Sequence, residues 1–301
     1  MKKIRDEGIE MKVYYYAFTG HKYGLDRMKR AAVVLSKLRS HGIETMLLVN
    51  DFRAGLVARE FGVPESITIE GIQDIDAIAQ TGDSVIIDSP EDDHGRLVKY
   101  CADFKSVFRF AESIEDKSVH GEIMMQLNCQ NDNCISSLLI DDVYFEEHKK
   151  ENRILFFLSD SDSDKLIINN TDFFKDSNME LLLGNYFYVK YEDDLAKIFN
   201  TLHEPEEYQS LICSSSHVVT ASFQTAVESA IAGAKVTYLN FSDLSIDEKE
   251  LFKLLDVIII IGFDAESYKE IYKEKELNVS FKENLKMYRN DEIIDKLLQK
   301  L

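Results

Sequence analysis

The sequence predicts an α/β protein of two domains, each built on a mostly parallel β-sheet. Short apolar runs alternate with segments of helical periodicity, and their connections are short, as in doubly wound sheets. The length of 301 residues favours two domains over one large core. The alternation restarts at the apolar run Ile154–Leu158 after a polar stretch. We therefore place the domains at 11–145 and 151–301, with the connection between Asp141 and Asn152.

The first predicted domain opens with a strand, followed by alternating helices and strands. Val13–Phe18 is rich in strand formers, and Leu25–Leu38 repeats its apolar residues at a helical period that ends at Gly42. Residues 1–10 resemble an appended polar tail, and residues 111–150 are less regular. The predicted strands lie at 13–18, 45–49, 66–69, 85–87 and 107–110, and the predicted helices at 25–38, 53–61, 74–80 and 94–104.

The second predicted domain also alternates strands with helices. Its strands lie at 154–158, 181–189, 218–221, 236–239 and 257–261, and helices at 192–202 and 246–255 fill the crossovers. Lys269–Leu301 is helical in pattern and heavily charged, with a packing face that includes Leu285, Ile294 and Leu297. In both sheets we expect ligands at the carboxyl ends of the strands, where Asp88 is placed in the first domain.

The charge of the chain limits its partners. The formal net charge is −19, which excludes nucleic-acid backbones as expected partners because phosphate binding needs clustered Lys and Arg. The same charge disfavours an anionic membrane surface. A small anionic ligand stays compatible with this balance if a few basic groups are focused in a cleft.

Apolar runs and cysteines indicate a cytoplasmic protein. The longest apolar run, Val257–Ile261, is far too short to span a bilayer, so no membrane insertion is expected. The charged first ten residues lack the apolar core of a signal peptide. Cys129 and Cys134 lie close together, but no second pair completes a zinc site. We expect reduced structural thiols, no metal and no cofactor.

The segment Val218–Leu239 predicts a strand–helix–strand unit around which a ligand site can form. The loop and helix start would lie at the carboxyl end of the first strand, where backbone N–H groups favour an anion. Thr225 lies in the first helical turn, and Glu228 follows one turn later on the same side. An ordinary helix start, with Thr225 as its cap and Glu228 near the positive dipole end, explains the same pattern.

The pattern Ser222-x-x-Thr225-x-x-Glu228, followed by Gly233 and a strand, resembles the nucleotide-binding segment of GT-B glycosyltransferases. The resemblance implies that Glu228 accepts hydrogen bonds from ribose hydroxyls. It also implies that the turn at Ser222 and Thr225 holds phosphate. For the whole chain, it implies two Rossmann-like domains that face one another across a cleft.

A second likeness concerns the order of features along most of the chain. Gly24–Arg30 is similar to the Gly-x-Gly-His-x-x-Arg loop of the UDP-sugar hydrolases of pseudaminic acid biosynthesis, a GT-B-like family. Ile86–Asp88 and Tyr191–Ala196 resemble a strand-end aspartate and an acidic helix start of that family. The resemblance implies hydrolysis of a UDP-linked sugar, with the loop histidine handling the attacking water.

The catalytic loop departs from the pattern of that family. Arg27 stands at the histidine position and Asp26 at the second glycine, and an arginine makes a poor general base. Asp26 and His21 are therefore alternative bases, while Arg27 or Arg30 is suited to hold phosphate. Against these roles, the basic residues of this segment fit a solvated helix face equally well, and His21 fits a surface position.

A second departure is the acidic loop Ser159–Asp164, which follows the strand at 154–158. The family has a glycine-rich loop there, and three aspartates would repel pyrophosphate. The alternation is similar to the opening of an EF-hand, but Lys165 and Thr171 occupy positions that need glycine and glutamate. We expect a solvated acidic loop in which serines cap a short helix.

The sequence is compatible with three functions. The first is a UDP-sugar hydrolase-like or glycosyltransferase-like enzyme of surface-glycan or pseudaminic-type nonulosonic acid biosynthesis, acting on a UDP- or CMP-linked sugar with altered catalytic groups. The second is a non-catalytic relative that binds a nucleotide sugar or a partner protein. The third is a Rossmann enzyme of another chemistry, although a dinucleotide dehydrogenase is disfavoured because no Gly-x-Gly-x-x-Gly follows the first strand.

Overall fold

The computed structural model describes residues 11–129, 134–273 and 290–301. These residues form two compact units. The first contains residues 11–18, Arg27–Leu139 and Asp291–Leu301, and the second contains Thr19–Asp26 and Ile140–Asn290. The expected tail at 1–10 and the expected packing residue Leu285 lie outside the described residues.

The first unit is built on a seven-stranded sheet whose strands all pair in parallel. Its strands are β1 (Lys12–Ala17), β2 (Glu44–Val49), β3 (Ser66–Thr68), β4 (Ser84–Asp88), β5 (Ser106–Phe110), β6 (Ile123–Gln126) and β7 (Cys134–Ser136). Their order is β3-β2-β1-β4-β5-β6-β7. The chain thus moves outward from β1 in one direction and then in the other, which confirms the predicted doubly wound, Rossmann-like sheet.

Helices cover this sheet in the crossovers between its strands. They are α1 (Asp26–Ser40), α2 (Phe52–Ala58), α3 (Ile75–Ile78) and α4 (Arg96–Asp103), with a 3-10 turn at Ile72–Asp74 before α3. In α1, Met28, Ala31, Leu35 and Leu38 are fully buried, as the helical spacing of these apolar residues predicts. One core cluster joins strand residues such as Tyr16 and Ile87 to helix residues such as Tyr100.

The second unit contains a six-stranded sheet, also with parallel pairings throughout. Its strands are β8 (Glu151–Phe157), β9 (Met179–Leu182), β10 (Leu202–His203), β11 (Ser215–Thr220), β12 (Lys235–Asn240) and β13 (Ile258–Ile261). Their order, β10-β9-β8-β11-β12-β13, places β8 and β11 at the centre. The carboxyl ends of β9, β8 and β11 therefore lie side by side.

The helices of the second unit are mostly short. They are α5 (Leu166–Asn169), α6 (Thr171–Phe174), α7 (Val189–Leu195), α8 (Tyr208–Ser214), α9 (Phe223–Ile231), α10 (Ile246–Leu254) and α11 (Ala265–Lys273). An aromatic core packs on the central strand β8, where the Phe156 ring contacts Phe174 and Phe199 at centroid distances of 4.9 and 5.9 Å. Such contacts bury large apolar areas and hold the helices on the sheet.

The predicted strand at 181–189 is too long. β9 ends at Leu182, and α7 begins at Val189, so the predicted helix at 192–202 also begins too late. Gly184 explains the break, because a Cβ atom at this position would lie 2.5 Å from the carbonyl carbon of Asp160. The chain leaves the sheet where its backbone contacts the loop after β8.

Other short elements are absent from the sequence-based prediction. β6 and β7 have 4 and 3 residues, and both lie in the stretch that the prediction left irregular. α8, with 7 residues, was not predicted either. Segments of this length do not complete enough periods for a hydrophobic pattern to stand out.

The last helix, α12 (Asp291–Lys300), belongs to the first unit, although the sequence-based domain assignment placed it in the second. It contacts β7, and the hydroxyl of Ser106 donates a hydrogen bond of 2.5 Å to the carbonyl of Lys300. Ile294 and Leu297 are almost fully buried. The apolar face that the sequence predicted for this helix therefore packs on the first unit.

The expectation of reduced thiols is wrong for two of the four cysteines. Cys129 and Cys134 form a disulfide, with their Cα atoms 5.6 Å apart. Cys134 begins β7, so the disulfide ties the start of this edge strand to the chain that follows β6. Cys101 and Cys213 are free thiols. In the described part of the chain, no helix has the length and apolar character needed to cross a membrane.

Candidate functional site

Residues 19–26 carry two of the candidate catalytic residues, His21 and Asp26, and they belong to the second unit. The His21 ring packs on Tyr186, with the ring centroids 4.8 Å apart. The Leu25 N–H group donates to Asp160 Oδ2 at 3.3 Å. Asp26 is the first residue of α1, and its carboxylate accepts hydrogen bonds from Ser222 Oγ. The partner residues follow β9, β8 and β11, so the loop crosses the carboxyl edge of the second sheet.

Glycines give this loop its compact shape. The N–H groups of Tyr23 and Gly24 both donate to the carbonyl of Gly20, at 3.0 and 2.9 Å. Gly24 has a φ of +65°, in the left-handed region that favours glycine. Tight folding of residues 20–24 places His21 at one end of the loop and Asp26 at the other.

The acidic loop Ser159–Asp164 is not the solvated loop that the sequence predicted. Asp160 is 2% exposed and Asp162 is 9% exposed. The carboxylate of Asp162, rather than a serine hydroxyl, accepts the first N–H groups of α5, those of Leu166 and Ile167, at 2.7 and 3.0 Å. Buried backbone N–H groups require acceptors, and this requirement turns two of the three aspartates inward. Asp164 is exposed.

Asp160 joins three segments of the second unit. Its Oδ2 accepts the Leu25 N–H group, and its Oδ1 accepts a hydrogen bond of 2.9 Å from Asn185 Nδ2. Its backbone carbonyl accepts the N–H group of Tyr186 at 2.9 Å. The residue thus connects the loop after β8, the loop after β9 and the loop that carries His21 and Asp26.

The start of α9 is organised by Ser222 rather than by Thr225. Ser222 is the N-cap, and its Oγ accepts the N–H group of Thr225 at 3.0 Å. The same hydroxyl donates to Asp26 Oδ1 and Oδ2 at 3.0 and 2.9 Å. The positive end of the helix dipole is therefore next to the carboxylate of Asp26, which it stabilises.

Thr225 and Glu228 lie together in a buried cluster. Thr225 is fully buried, and Glu228 is 3% exposed. The Tyr208 hydroxyl lies 2.8 Å from Thr225 Oγ1 and donates to Glu228 Oε2 at 2.7 Å. Gln224 Nε2 donates to the other carboxylate oxygen at 2.8 Å. Burial raises the pKa of Tyr208, and the negative charge of Glu228 raises it further, so this phenol stays a donor.

A pocket of about 370 Å³ lies at the carboxyl edge of the second sheet. It brings together His21, Asp26 and Ser222 from the predicted site, while its lining does not include Thr225 or Glu228. Acidic residues of the loop after β8 form part of the lining, and Lys22 contributes a cation. Phe223, Tyr238 and Phe241 add aromatic surface. Carboxylates, hydroxyls and aromatic faces can together bind an uncharged polyhydroxylated group.

The remaining predicted residues form an ion cluster in the first unit. Asp88 is fully buried at the end of β4, where Arg30 Nη2 lies 2.8 Å from Oδ1 and Arg27 Nε lies 3.3 Å from it. The Tyr15 hydroxyl donates to Oδ2 at 2.9 Å. Burial raises the pKa of Asp88, although the charges of Arg30 and Arg27 oppose this shift. Lys29 is 3% exposed, so these basic residues do not form a solvated helix face.

Several residues of the pocket were not predicted from the sequence. Tyr238 lies near the end of β12 and Phe241 just after it. Their position at the carboxyl end of a predicted parallel strand could have marked them as ligand-site candidates. Burial raises the pKa of Tyr238 to about 12, so its hydroxyl is a donor near neutral pH. Asn185 and Tyr186 do not line the pocket but contact Asp160 and His21, and they carried no such signal because the predicted strand ran through them. Among the described residues, no group of three or more His, Cys, Asp or Glu side chains is placed to hold a metal ion.

No protein-family model matches this sequence, and no curated protein is a detectable relative of it. Solved structures do resemble it. A UDP-GlcNAc 2-epimerase from Neisseria meningitidis, bound to UDP-GlcNAc, has a TM-score of 0.57 and 13% identity over 96% of this chain and 100% of its own. S. aureus MnaA with UDP has a TM-score of 0.60 and 12% identity over 90% of each chain. The glycotransferase of kitacinnamycin has a TM-score of 0.60 and 10% identity over 98% of this chain and all of its own.

At these identities the likeness concerns the fold. The chain has a two-domain α/β fold of the GT-B type, with a parallel sheet and interleaved helices in each domain. The predicted fold class is thereby confirmed. Proteins of this fold perform different reactions, so the function is argued from the site.

Proposed function

We propose that this protein binds a UDP- or CMP-linked sugar and processes it as a hydrolase-like or glycosyltransferase-like enzyme of surface-glycan or pseudaminic-type nonulosonic acid biosynthesis. The observation that carries the proposal is the convergence of His21, Asp26 and Ser222 on one pocket at the carboxyl edge of the second sheet. The solved structures of similar fold support it, since one holds UDP-GlcNAc, one holds UDP and one is a glycotransferase.

In this proposal, Asp26 is the first candidate for the general base and His21 is the second. Both line the pocket, and a carboxylate or an imidazole can accept the proton of an attacking water or acceptor hydroxyl. Arg27 binds Asp88 and Glu112, with its Nη2 2.8 Å from Glu112 Oε2, and is not a base. Hydrolysis is therefore expected to be slower than in enzymes that keep a loop histidine.

Arg30 and Asp88 are proposed to bind substrate in the first unit. The bidentate contact with Asp88 fixes the guanidinium of Arg30, which also lies over the Phe110 ring at 5.0 Å. A guanidinium held in this way has a fixed orientation, and a fixed planar cation suits recognition of an anionic substrate group. In this arrangement Asp88 orients Arg30.

Binding and turnover measured together test the proposal. Isothermal titration calorimetry with UDP, CMP, UDP-GlcNAc and a CMP-linked sugar should show binding of at least one of them. Nucleotide release from the bound sugar nucleotide, and from a UDP-linked diacetamido-trideoxy sugar, is then followed by NMR. Absence of binding by every compound would contradict the proposal.

A non-catalytic relative is the second candidate function. The observation that favours it is that both candidate catalytic residues of the segment Gly24–Arg30 already contact protein groups. Arg27 forms ion pairs with Asp88 and Glu112, and Asp26 accepts a hydrogen bond from Ser222. Binding of a nucleotide sugar without release of nucleotide, in the native protein and in the Arg27→His variant alike, would establish this second function.

A further inference from the structure

We propose that Asp160 is a positioning residue, which holds the loop of residues 19–26 so that His21 and Asp26 both reach the pocket. The acidic loop after β8 then has a task other than binding phosphate. The catalytic part of this inference rests on the proposed function, whereas the positioning itself does not.

The contacts of Asp160 carry this inference. The residue is 2% exposed, and its two carboxylate oxygens accept hydrogen bonds from two different segments, the Leu25 N–H group at 3.3 Å and Asn185 Nδ2 at 2.9 Å. Hydrogen bonds to a charged acceptor are stronger than those to a neutral one, and a carboxylate offers acceptors only. An asparagine at this position would direct its NH₂ group at one of the two donors.

The location of this hydrogen bond explains why it matters. The loop is held at three points, by Tyr186 at His21, by Asp160 at Leu25 and by Ser222 at Asp26. These partners follow β9, β8 and β11, which are neighbours in the sheet. Asp160 is the central partner, and its hydrogen bond is made to the backbone, so it fixes the path of the chain whatever side chains the loop carries.

The Asp160→Asn variant of the full chain tests the inference without any ligand. Hydrogen–deuterium exchange of the peptide that covers residues 19–26 should be at least about tenfold faster than in the native protein, because the Leu25 amide loses its charged acceptor. Asp164→Asn is the matched control, since Asp164 is exposed and lines the same pocket. It should leave the exchange unchanged. Equal exchange in the native protein and in Asp160→Asn would overturn the inference.

A second measurement applies if Asp160→Asn does not fold. In the native protein, the Leu25 amide should be strongly protected, and Gly24→Ala should remove the protection because an alanine is strained at a φ of +65°. An unprotected Leu25 amide in the native protein would refute the positioning role without any variant of Asp160.

The separate effects on kcat and KM distinguish misplacement of the catalytic loop from a general loss of stability. If turnover is detected, Asp160→Asn should lower kcat by about 10²-fold and change KM much less, because misplacement of a catalytic group acts on the chemical step. A proportionate rise in KM with unchanged kcat would contradict this. If no nucleotide binds to any variant, the proposed function fails, while the exchange data still decide the role of Asp160.

Discussion

The hydroxyl of Ser222 donates to both carboxylate oxygens of Asp26, at 3.0 and 2.9 Å, across 196 positions of the sequence. Ser222 is also the N-cap of α9. The helix start, where the sequence predicts a phosphate, is therefore next to a negative charge of the protein itself. A nucleotide phosphate that approaches α9 meets the carboxylate of Asp26, and this relationship leads to the first prediction.

Asp26→Asn should bind UDP more tightly than the native protein and turn over substrate more slowly. Without the negative charge of Asp26, the positive end of the α9 dipole interacts with the nucleotide phosphate instead. The binding free energy should become about 1 kcal/mol more favourable, which lowers Kd about fivefold. Loss of a positioned base lowers the rate by about 10²–10⁴-fold. Calorimetry and nucleotide release measure the two effects. His21→Ala is the control for binding, and weaker UDP binding by Asp26→Asn would exclude the repulsion.

Glu228→Gln should lower the free energy of unfolding by about 1–3 kcal/mol, because Tyr208 and Gln224 lose a buried charged acceptor. If the carboxylate also accepts ribose hydroxyls, nucleotide affinity falls by a similar amount. Tyr208→Phe is the matched variant, since it removes a donor and keeps the carboxylate. Urea unfolding and calorimetry on both variants separate the two roles. Native nucleotide affinity in Glu228→Gln would rule out the ribose role.

His217 should make the protein less stable as the pH falls from about 6.5 to about 3. Its ring is 6% exposed, its Nε2 lies 2.9 Å from Thr237 Oγ1, and burial lowers its pKa to about 3. Between the ordinary and the lowered pKa, the unfolded chain binds a proton that the folded protein does not. His217 therefore does not change the free energy of unfolding above about pH 6.5, and below it lowers this free energy by up to about 1.4 kcal/mol for each pH unit.

The check of this pH dependence is chemical unfolding at pH 7, 6, 5 and 4 for the native protein and for His217→Gln. The variant should show a smaller loss of stability between pH 7 and pH 4. His41→Gln replaces an exposed histidine and should follow the native curve. Identical slopes for all three proteins would show that His217 does not control this loss.

The Cys129–Cys134 disulfide should stabilise the edge strand β7 and, through it, the contact with α12. Closure of a loop this short is worth about 2 kcal/mol in the chain-entropy model. Cys134→Ser or a reductant should lower the Tm. Cys101→Ser keeps the disulfide and is the control, so it should not show this loss. Thiol titration of the denatured native protein should find two thiols, those of Cys101 and Cys213. Four thiols would show that the disulfide is not formed.

The sequence by itself determined the fold class and most of the regular elements. Short apolar runs predicted the parallel strands, and the helical spacing of Met28, Leu35 and Leu38 predicted the buried face of α1. Ser222 and Asp26 were candidates because their segments resemble the nucleotide-binding segment of GT-B glycosyltransferases and the catalytic loop of the UDP-sugar hydrolases. Local periodicity and turn chemistry are properties of neighbouring residues, so one sequence is enough to predict them.

The tertiary structure alone decided which of these residues meet. Asp160 and Asp162 looked like a solvated acidic run, but the N–H groups of Leu25 and α5 turned them inward. Gln224 of the same helix α9 donates one hydrogen bond to Glu228, but Tyr208 of α8 donates another, and the sequence pattern of α9 did not indicate that partner. A local pattern specifies which groups are available, whereas burial and the choice of hydrogen-bond partner depend on residues far away in the chain.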